Sequence, residues 1–285
     1  MAQPSFFVRH DFLIRRLHSL AGLVPVGVYV VVHLVTNSLI LNSVAAFQGQ
    51  VYTIHSLGPA LWIVEWAFIF IPLLFHAILG VWLAFEGRPN ATRYGFVNNW
   101  RYVLQRVTGM IAFFFIFAHV FHMHGWFHTE LWHDYVSGPL GGATFKPYNA
   151  GSTAALSLQG NPVIPALYAI GVIATVFHLF NGIWTMGITW GAWTTPAAQR
   201  KANWVCLIGG LLLGVVGLTA IYGFVTLDVE NAKQVEDTMY ESRLSDLSAP
   251  ESPEKRTQPD PVIDPASPED AEARDDTHSG MRMAE

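Results

Sequence analysis

A single cysteine, Cys206, stands among 285 residues, and that scarcity removes several chemistries at once. One thiol can build no internal disulfide, no four-thiolate iron–sulfur cluster and no C-x-x-C-H attachment of a c-type haem. Any haem here must be held non-covalently. Charge is sparse as well: 13% of residues are charged against 52% hydrophobic, too apolar and too segmented a chain for one soluble domain. There is no dinucleotide-type glycine fingerprint. The basic residues are scattered over loop ends, so no nucleic-acid partner is expected. No A-x-A-type cleavage site follows the first apolar stretch, and a cleaved signal peptide is not expected.

Acidic residues are scarce in only one part of the chain. Of the 21 acidic and 16 basic residues, sixteen and six lie from Asp228 onward, leaving five and ten in residues 1–227. A mildly basic body therefore carries an acidic, Pro-rich tail over 228–285 (APESPEK, PDPVIDPASPED). Such a composition buries too little apolar surface to offset its ordering entropy. Residues 245–285 are expected to be disordered, with a helical extension of the last apolar stretch reaching about Arg243.

The body, residues 17–227, reads as an all-α membrane domain of five spans near 17–40, 61–85, 102–125, 163–190 and 203–227, each long enough for the hydrocarbon core. Pro25 and Pro72 fall inside spans and are expected to kink rather than end them. Segments 41–60 and 126–162 are connections on one face, the second marked by turn signals at Gly138-Pro139, Gly141-Gly142 and Asn161-Pro162. The other face collects Arg9, Arg15, Arg16, Arg88, Arg93, Arg101, Arg106, Arg200 and Lys201, against Lys146 opposite. The positive-inside rule puts the N-terminal segment 1–16 in the cytoplasm. With five spans, the C-terminal tail lies outside.

Within this apolar body sit His33, His76, His119 and His178, one in each of the first four spans. A lone histidine in a membrane helix more often bonds a neighbouring helix. Four of them, on successive helices, point instead to function, because polar groups at bilayer depth are costly and imidazole is a good ligand for iron. Helices alternate in direction, so residue counts give depth. His33 lies about 6 Å and His119 about 9 Å before the outer ends of their spans, while His76 and His178 lie about 14 and 18 Å from the inner ends. Two levels result, and two trans-axial histidines at one level can sandwich a haem iron. The expectation is a bundle around two bis-histidine b haems.

Gly80 and Gly182 follow His76 and His178 by four residues, on the same helix face, where missing side chains let a flat macrocycle approach or let helices pack closely. Spans one and three form a weak repeat: basic and small polar residues, then Gly22 and Gly109, with His33 and His119 eleven and ten residues further on. Haem propionates favour arginine and hydroxyl donors near the interface, for which Arg16, His18, Ser19 and Arg106 are candidates, although arginines also simply anchor helix ends. Beyond His119 come His122, His124, His128 and His133. His122 shares a face with His119 and is a rival ligand, but His119 is deeper, and no carboxylate or cysteine joins the cluster in a metal-binding spacing. Trp62, Trp126, Trp132 and Trp190 read as interfacial aromatics.

The segments RRLHSLAGLVPVGVYVVVHLVTN, FIFIPLLFHAILGVWLAFEG, NWRYVLQRVTGMIAFFFIFAHVF and VFHLFNGIWTMGITWG resemble the single-chain, five-helix, di-haem cytochrome b anchor of bacterial succinate:quinone oxidoreductases, the b558 type, over about Phe7 to Val225. The resemblance implies His33 and His119 as ligands of a distal haem near the outer face, and His76 and His178 as ligands of a proximal haem near the cytoplasm. It also implies a flavoprotein and an iron–sulfur subunit on the cytoplasmic face, a membrane quinone, usually menaquinone, and residence in the bacterial inner membrane, with room for a homo-oligomer of the complex. Two features depart from the pattern: the acidic extension after Asp228 has no counterpart, and loop 41–60 lacks any carboxylate, the nearest acid being Glu65 in span two.

The sequence therefore predicts the electron-transferring, quinone-reactive anchor of a succinate dehydrogenase or fumarate reductase. The dicarboxylate site, flavin and clusters belong to partners, since no residue set here could hold them. The rival from another class is a histidine-lined transporter or proton channel without haem. Cytochrome bc-type subunits place two ligand histidines on each of two helices, which this chain does not.

Overall fold

A computed structural model describes residues 6–127, 129–245 and 255–257. Among these, five helices are long and apolar enough to cross a membrane: α1 (Arg9–Leu41), α3 (Ala60–Glu86), α4 (Val97–His124), α6 (Val163–Thr189) and α7 (Pro196–Val225). Shorter helices lie between and after the spans, the longest of them α2 (Val44–His55), α5 (Ala150–Gln159) and α8 (Val229–Ser245), with single helical turns at Glu130–Trp132, His133–Ser137 and Pro147–Asn149. Few side chains in the long helices are buried, at most 22% of any apolar window. Apolar residues such as Ile78 and Phe114 point outward, as a lipid-facing surface requires.

Both spans with internal prolines stay continuous by widening. A proline removes one N–H and crowds the carbonyl four residues back. The chain responds with a π-type turn at Gly22–Gly27, which contains Pro25, and another at Glu65–Phe70, just ahead of Pro72. The first of these explains an irregularity in the sequence repeat. A π turn absorbs one extra residue, so the eleven-residue step from Gly22 to His33 and the ten-residue step from Gly109 to His119 bring both histidines to equivalent places.

The spans form two antiparallel pairs, α1 against α3 and α4 against α6, with α7 packed on α6 and α1 and α3 touching α4. Mid-bundle, Val172, Val176 and Leu213 form an apolar cluster with Leu34 and Leu179 at its edge. The two connections on the far face, opposite the arginines, are not simple loops. Each holds a helix that the sequence reading passed over, α2 and α5, and with Phe224 they enclose a buried cluster of Phe47, Val51, Ala150, Ala154 and Leu158.

Nor does the last span continue past Val225 as one rod. The helix stops at Thr226, Asp228 caps the next segment through Asn231 N–H at 3.1 Å, and α8 turns back onto α2 and α5. Ala232, Glu236 and Tyr240, spaced four apart on one face, are buried there. That stripe is short and mixed in polarity, so its burial is not visible in an average composition. Most of the expected disordered stretch 245–285 lies outside the described residues. Within it, Arg256 pairs with Asp237 at 2.7 Å and Thr257 donates to Asn149.

Candidate functional site

The four span histidines meet in two pairs, each joining one helix of the first antiparallel pair to one of the second. Near the arginine face, the His76 and His178 rings have centres 6.1 Å apart and planes at 79°. Toward the far face, His33 and His119 have centres 5.9 Å apart and planes at 72°. A metal–imidazole nitrogen bond is about 2 Å. Two rings gripping one ion from opposite sides are then about 6 Å apart between centres. Both separations fit a single iron between two imidazoles.

The protonation of the near pair follows from its partners. His76 Nδ1 lies 2.9 Å from the carbonyl oxygen of His18, and His178 Nδ1 lies 3.0 Å from that of Gln105. A carbonyl only accepts, so each imidazole donates from Nδ1 and keeps a lone pair on Nε2. This is the arrangement that orients a histidine ligand and raises its basicity. The two donors are related by the internal repeat: His18 precedes Gly22 as Gln105 precedes Gly109, by four residues.

These glycines, more than Gly80 and Gly182, make room for the near imidazoles. A Cβ at Gly22 would fall 2.3 Å from His76 Cε1, and one at Gly109 would fall 2.7 Å from His178 Cε1. Gly80 instead faces the His18 ring and Gly182 the side chain of Gln105, each at 3.3 Å. The His18 ring stacks on His76, 4.1 Å between centres and 5° between planes.

A cavity of about 560 Å³ opens beside the near pair, and its walls include His76, His178, Gly22, Gly80, Gly109 and Gly182. Arg16, His18, Ser19 and Arg106 line it too. Two of these keep buried polar atoms without a partner, His18 Nδ1 and Arg106 Nε. Arg16 stacks over Phe12 and Trp190, and Trp190 donates to Ser19 Oγ at 3.2 Å. The cavity is thus mostly apolar, with donors gathered at its arginine-face end, a shape suited to a flat apolar group with an anionic edge.

The far pair has different company. Tyr29 Oη is 3.5 Å from His33 Nδ1, and Tyr168 Oη is 3.2 Å from His119 Nδ1. The same Tyr168 hydroxyl lies 2.8 Å from Nδ1 of His122. It is His119 whose ring meets His33, while His122 is tied to Tyr168. Among the described residues no group of three His, Cys, Asp or Glu side chains comes together to hold a metal ion; His128 lies outside them. Trp132 donates to the Gly125 carbonyl at 2.7 Å, closing the turn after α4.

Several polar residues around these histidines went unremarked in the sequence reading. Tyr168 touches the far pair, and Asn181 touches the Gln105 that holds His178; Arg101, read from the sequence only as one of the arginines of its face, reaches Gln105 through Asn181. The signal was available, since a polar side chain inside a membrane span is a functional candidate by default. Asn181 stands three residues after His178 and is buried.

Among the described residues, whose regular elements are all helices, five apolar spans define a multi-pass membrane protein whose four span histidines meet in two inter-helical pairs. No protein-family model matches the chain. It is 36% identical over 215 residues to the succinate dehydrogenase cytochrome b558 subunit of Bacillus subtilis (strain 168), a match covering 75% of this chain and 98% of that protein. The chain belongs to the family of succinate dehydrogenase cytochrome b558 subunits.

Proposed function

We propose that this chain is the membrane anchor and cytochrome b subunit of a succinate:quinone oxidoreductase, passing electrons between an iron–sulfur subunit and membrane quinone through two haem b groups. His76 and His178 would hold the haem near the arginine face, and His33 and His119 the haem near the far face. The observation that carries this reading is the pairing itself: histidines from four separate spans meet two by two at 6.1 and 5.9 Å.

The surroundings of the near pair agree with a resident haem. Nδ1 donation leaves the lone pairs on its Nε2 atoms, glycines make room at the ring edges, and Arg106 and His18 keep unpartnered buried polar atoms in the cavity lining. Bound haem supplies one-electron redox chemistry. The chain fixes both imidazoles, offers Arg16, Ser19, His18 and Arg106 to the propionates, and excludes water with apolar walls. A flavoprotein and an iron–sulfur subunit dock on the arginine face, which is cytoplasmic by the positive-inside rule. The C-terminus is then outside, in a bacterial inner membrane, and menaquinone is the expected quinone.

The test is a reduced-minus-oxidised spectrum and redox titration of the purified complex. Two b-type components are expected. His76→Ala and His178→Ala remove the same one, and His33→Ala and His119→Ala remove the other. Absence of any reducible b-type band would sink the haem reading and leave a histidine-lined transporter or proton channel in its place.

A further inference from the structure

Arginines at the ends of membrane helices ordinarily reach outward to the interface. Arg101, at the start of α4, turns inward. Its Nε donates to Asn181 Oδ1 at 2.7 Å, its Nη1 donates to Asn203 Oδ1 at 2.6 Å, and its guanidinium lies 3.8 Å over the Trp184 ring. The partners are two amide oxygens and an aromatic face, with no carboxylate on Arg101 among the described residues. The charge is thus solvated by dipoles and kept, not neutralised.

The contacts run on toward the near histidine pair. Asn181 Nδ2 donates to Gln105 Oε1 at 2.6 Å and to the Arg101 carbonyl at 3.2 Å. Gln105 Nε2 donates to the His178 carbonyl at 3.1 Å, and the Gln105 carbonyl receives the His178 Nδ1 proton at 3.0 Å. Asn181 is buried and every polar atom of its amide is engaged. With Oε1 committed to Asn181, the orientation of the Gln105 amide is fixed as well. Arg101 and Gln105 belong to α4, Asn181 to α6 and Asn203 to α7, so the span that supplies no histidine enters the site through Asn203. Among the described residues His76 has no equivalent chain of amides; the His18 ring stacks on it instead.

We infer that Arg101, Asn181 and Gln105 form a positioning relay that fixes the His178 imidazole and holds an uncompensated positive charge beside the near site, raising the reduction potential of the group bound there. This rests on the haem assignment proposed above. A cation in a low-dielectric setting favours whichever neighbouring state carries the extra electron, and hydrogen-bonded networks around ligands and burial are among a protein's levers on potential.

The test uses the whole purified succinate dehydrogenase complex, with optical redox titration of its b-type components and haem content measured in parallel. Asn203→Asp is the most selective variant: it is isosteric, still accepts from Arg101 and places a negative charge against the guanidinium while leaving Asn181 and Gln105, the links to His178, unsubstituted. It is expected to lower the midpoint of the component lost in His178→Ala and to leave the other unchanged, with both haems retained. Arg101→Gln should act in the same direction, and Arg101→Lys should restore most of the shift, a rescue that a purely structural role would not give. Unchanged midpoints in Asn203→Asp and Arg101→Gln with both haems present, or an equal shift in both components, overturns the inference. A wild-type complex without b-type components would instead fail the haem assignment, and the two failures cannot be confused.

Discussion

Gly22 lies against the edge of the His76 imidazole so closely that a methyl group on it would sit 2.3 Å from Cε1. Gly109 stands in the same relation to His178, at 2.7 Å. Each glycine comes from the helix whose backbone carbonyl, one turn earlier, holds the Nδ1 proton of that same ring. One helix thus does two things for the histidine on its neighbour: it sets the tautomer and it clears the space.

Substituting alanine at either glycine should therefore strike the same site. Gly22→Ala and Gly109→Ala each force the imidazole or the helix to move, at an overpacking cost of about 1–3 kcal/mol. Both variants are expected to lose or distort the b-type component that disappears in His76→Ala, with the other component intact. Gly214→Ala is the control, since nothing lies within 4 Å of a Cβ there. If the two variants disturb different components in redox titration, the near-pair geometry is wrong.

Tyr168 plays a corresponding part at the far pair, through a hydroxyl rather than a carbonyl. Tyr168→Phe keeps the ring packed against Phe115, 5.4 Å between centres, and removes the oxygen shared by His119 and His122. The net loss of stability is expected to be about 0.5–1.5 kcal/mol for a hydrogen bond of this kind. The midpoint of the component removed by His119→Ala should shift while the near component stays in place. A shift confined to the near component would contradict the separation of the two sites.

Much of this was legible in the chain itself. Spans, the four histidines, their two depths and their pairing follow from apolar length and residue counting, because helix rise is constant and a membrane fixes the scale. Even Arg16, His18, Ser19 and Arg106 all line one cavity. What could not be read was lateral. Counting gives depth but not which helix faces which, so the role of Gly22 toward His76 was hidden behind the nearer Gly80. The eleven-against-ten spacing looked like imperfect repetition until the π turn at Gly22–Gly27 absorbed the difference. Glu236 was averaged into an acidic tail, although it is fully buried; a composition window cannot see one carboxylate finding two backbone N–H groups.

That carboxylate anchors α8. Glu236 Oε1 accepts from Gly151 N–H at 2.6 Å and Ser152 N–H at 3.2 Å, and Oε2 accepts from Ser152 Oγ at 2.5 Å. These are the free donors at the start of α5, where a negative group is favoured. Glu236→Ala leaves them buried without a partner, a cost of about 1–3 kcal/mol; Glu236→Gln retains one acceptor and should cost less. Hydrogen exchange over 229–245 in the purified complex is expected to rise strongly in the alanine variant and weakly in the glutamine one. Equal protection in wild type and Glu236→Ala would mean that α8 is held by its other contacts, among them those of Asp237 with Asn149 and Arg256.

The same cap should respond to acid through His55, which ends α2. Its ring centre is 6.0 Å from that of Tyr148. Tyr148 in turn contacts Tyr52 and Tyr240, and Lys255 lies over its ring. Burial, and secondly the charge of Lys255, lower the His55 pKa from its ordinary 6.5 to about 4. A histidine whose folded value is depressed binds protons more readily once released, so its contribution to docking is complete above about pH 6.5 and is lost as pH falls toward 4. Burial pushes Glu236 the other way, above the usual carboxylate range, so its contribution strengthens on acidification and wild type alone would report a mixture. Comparing wild type with His55→Gln separates the two. Protection of 229–245 should fall more steeply between about pH 6.5 and 4 in wild type than in the variant, and parallel profiles would show that His55 does not titrate against the docked tail.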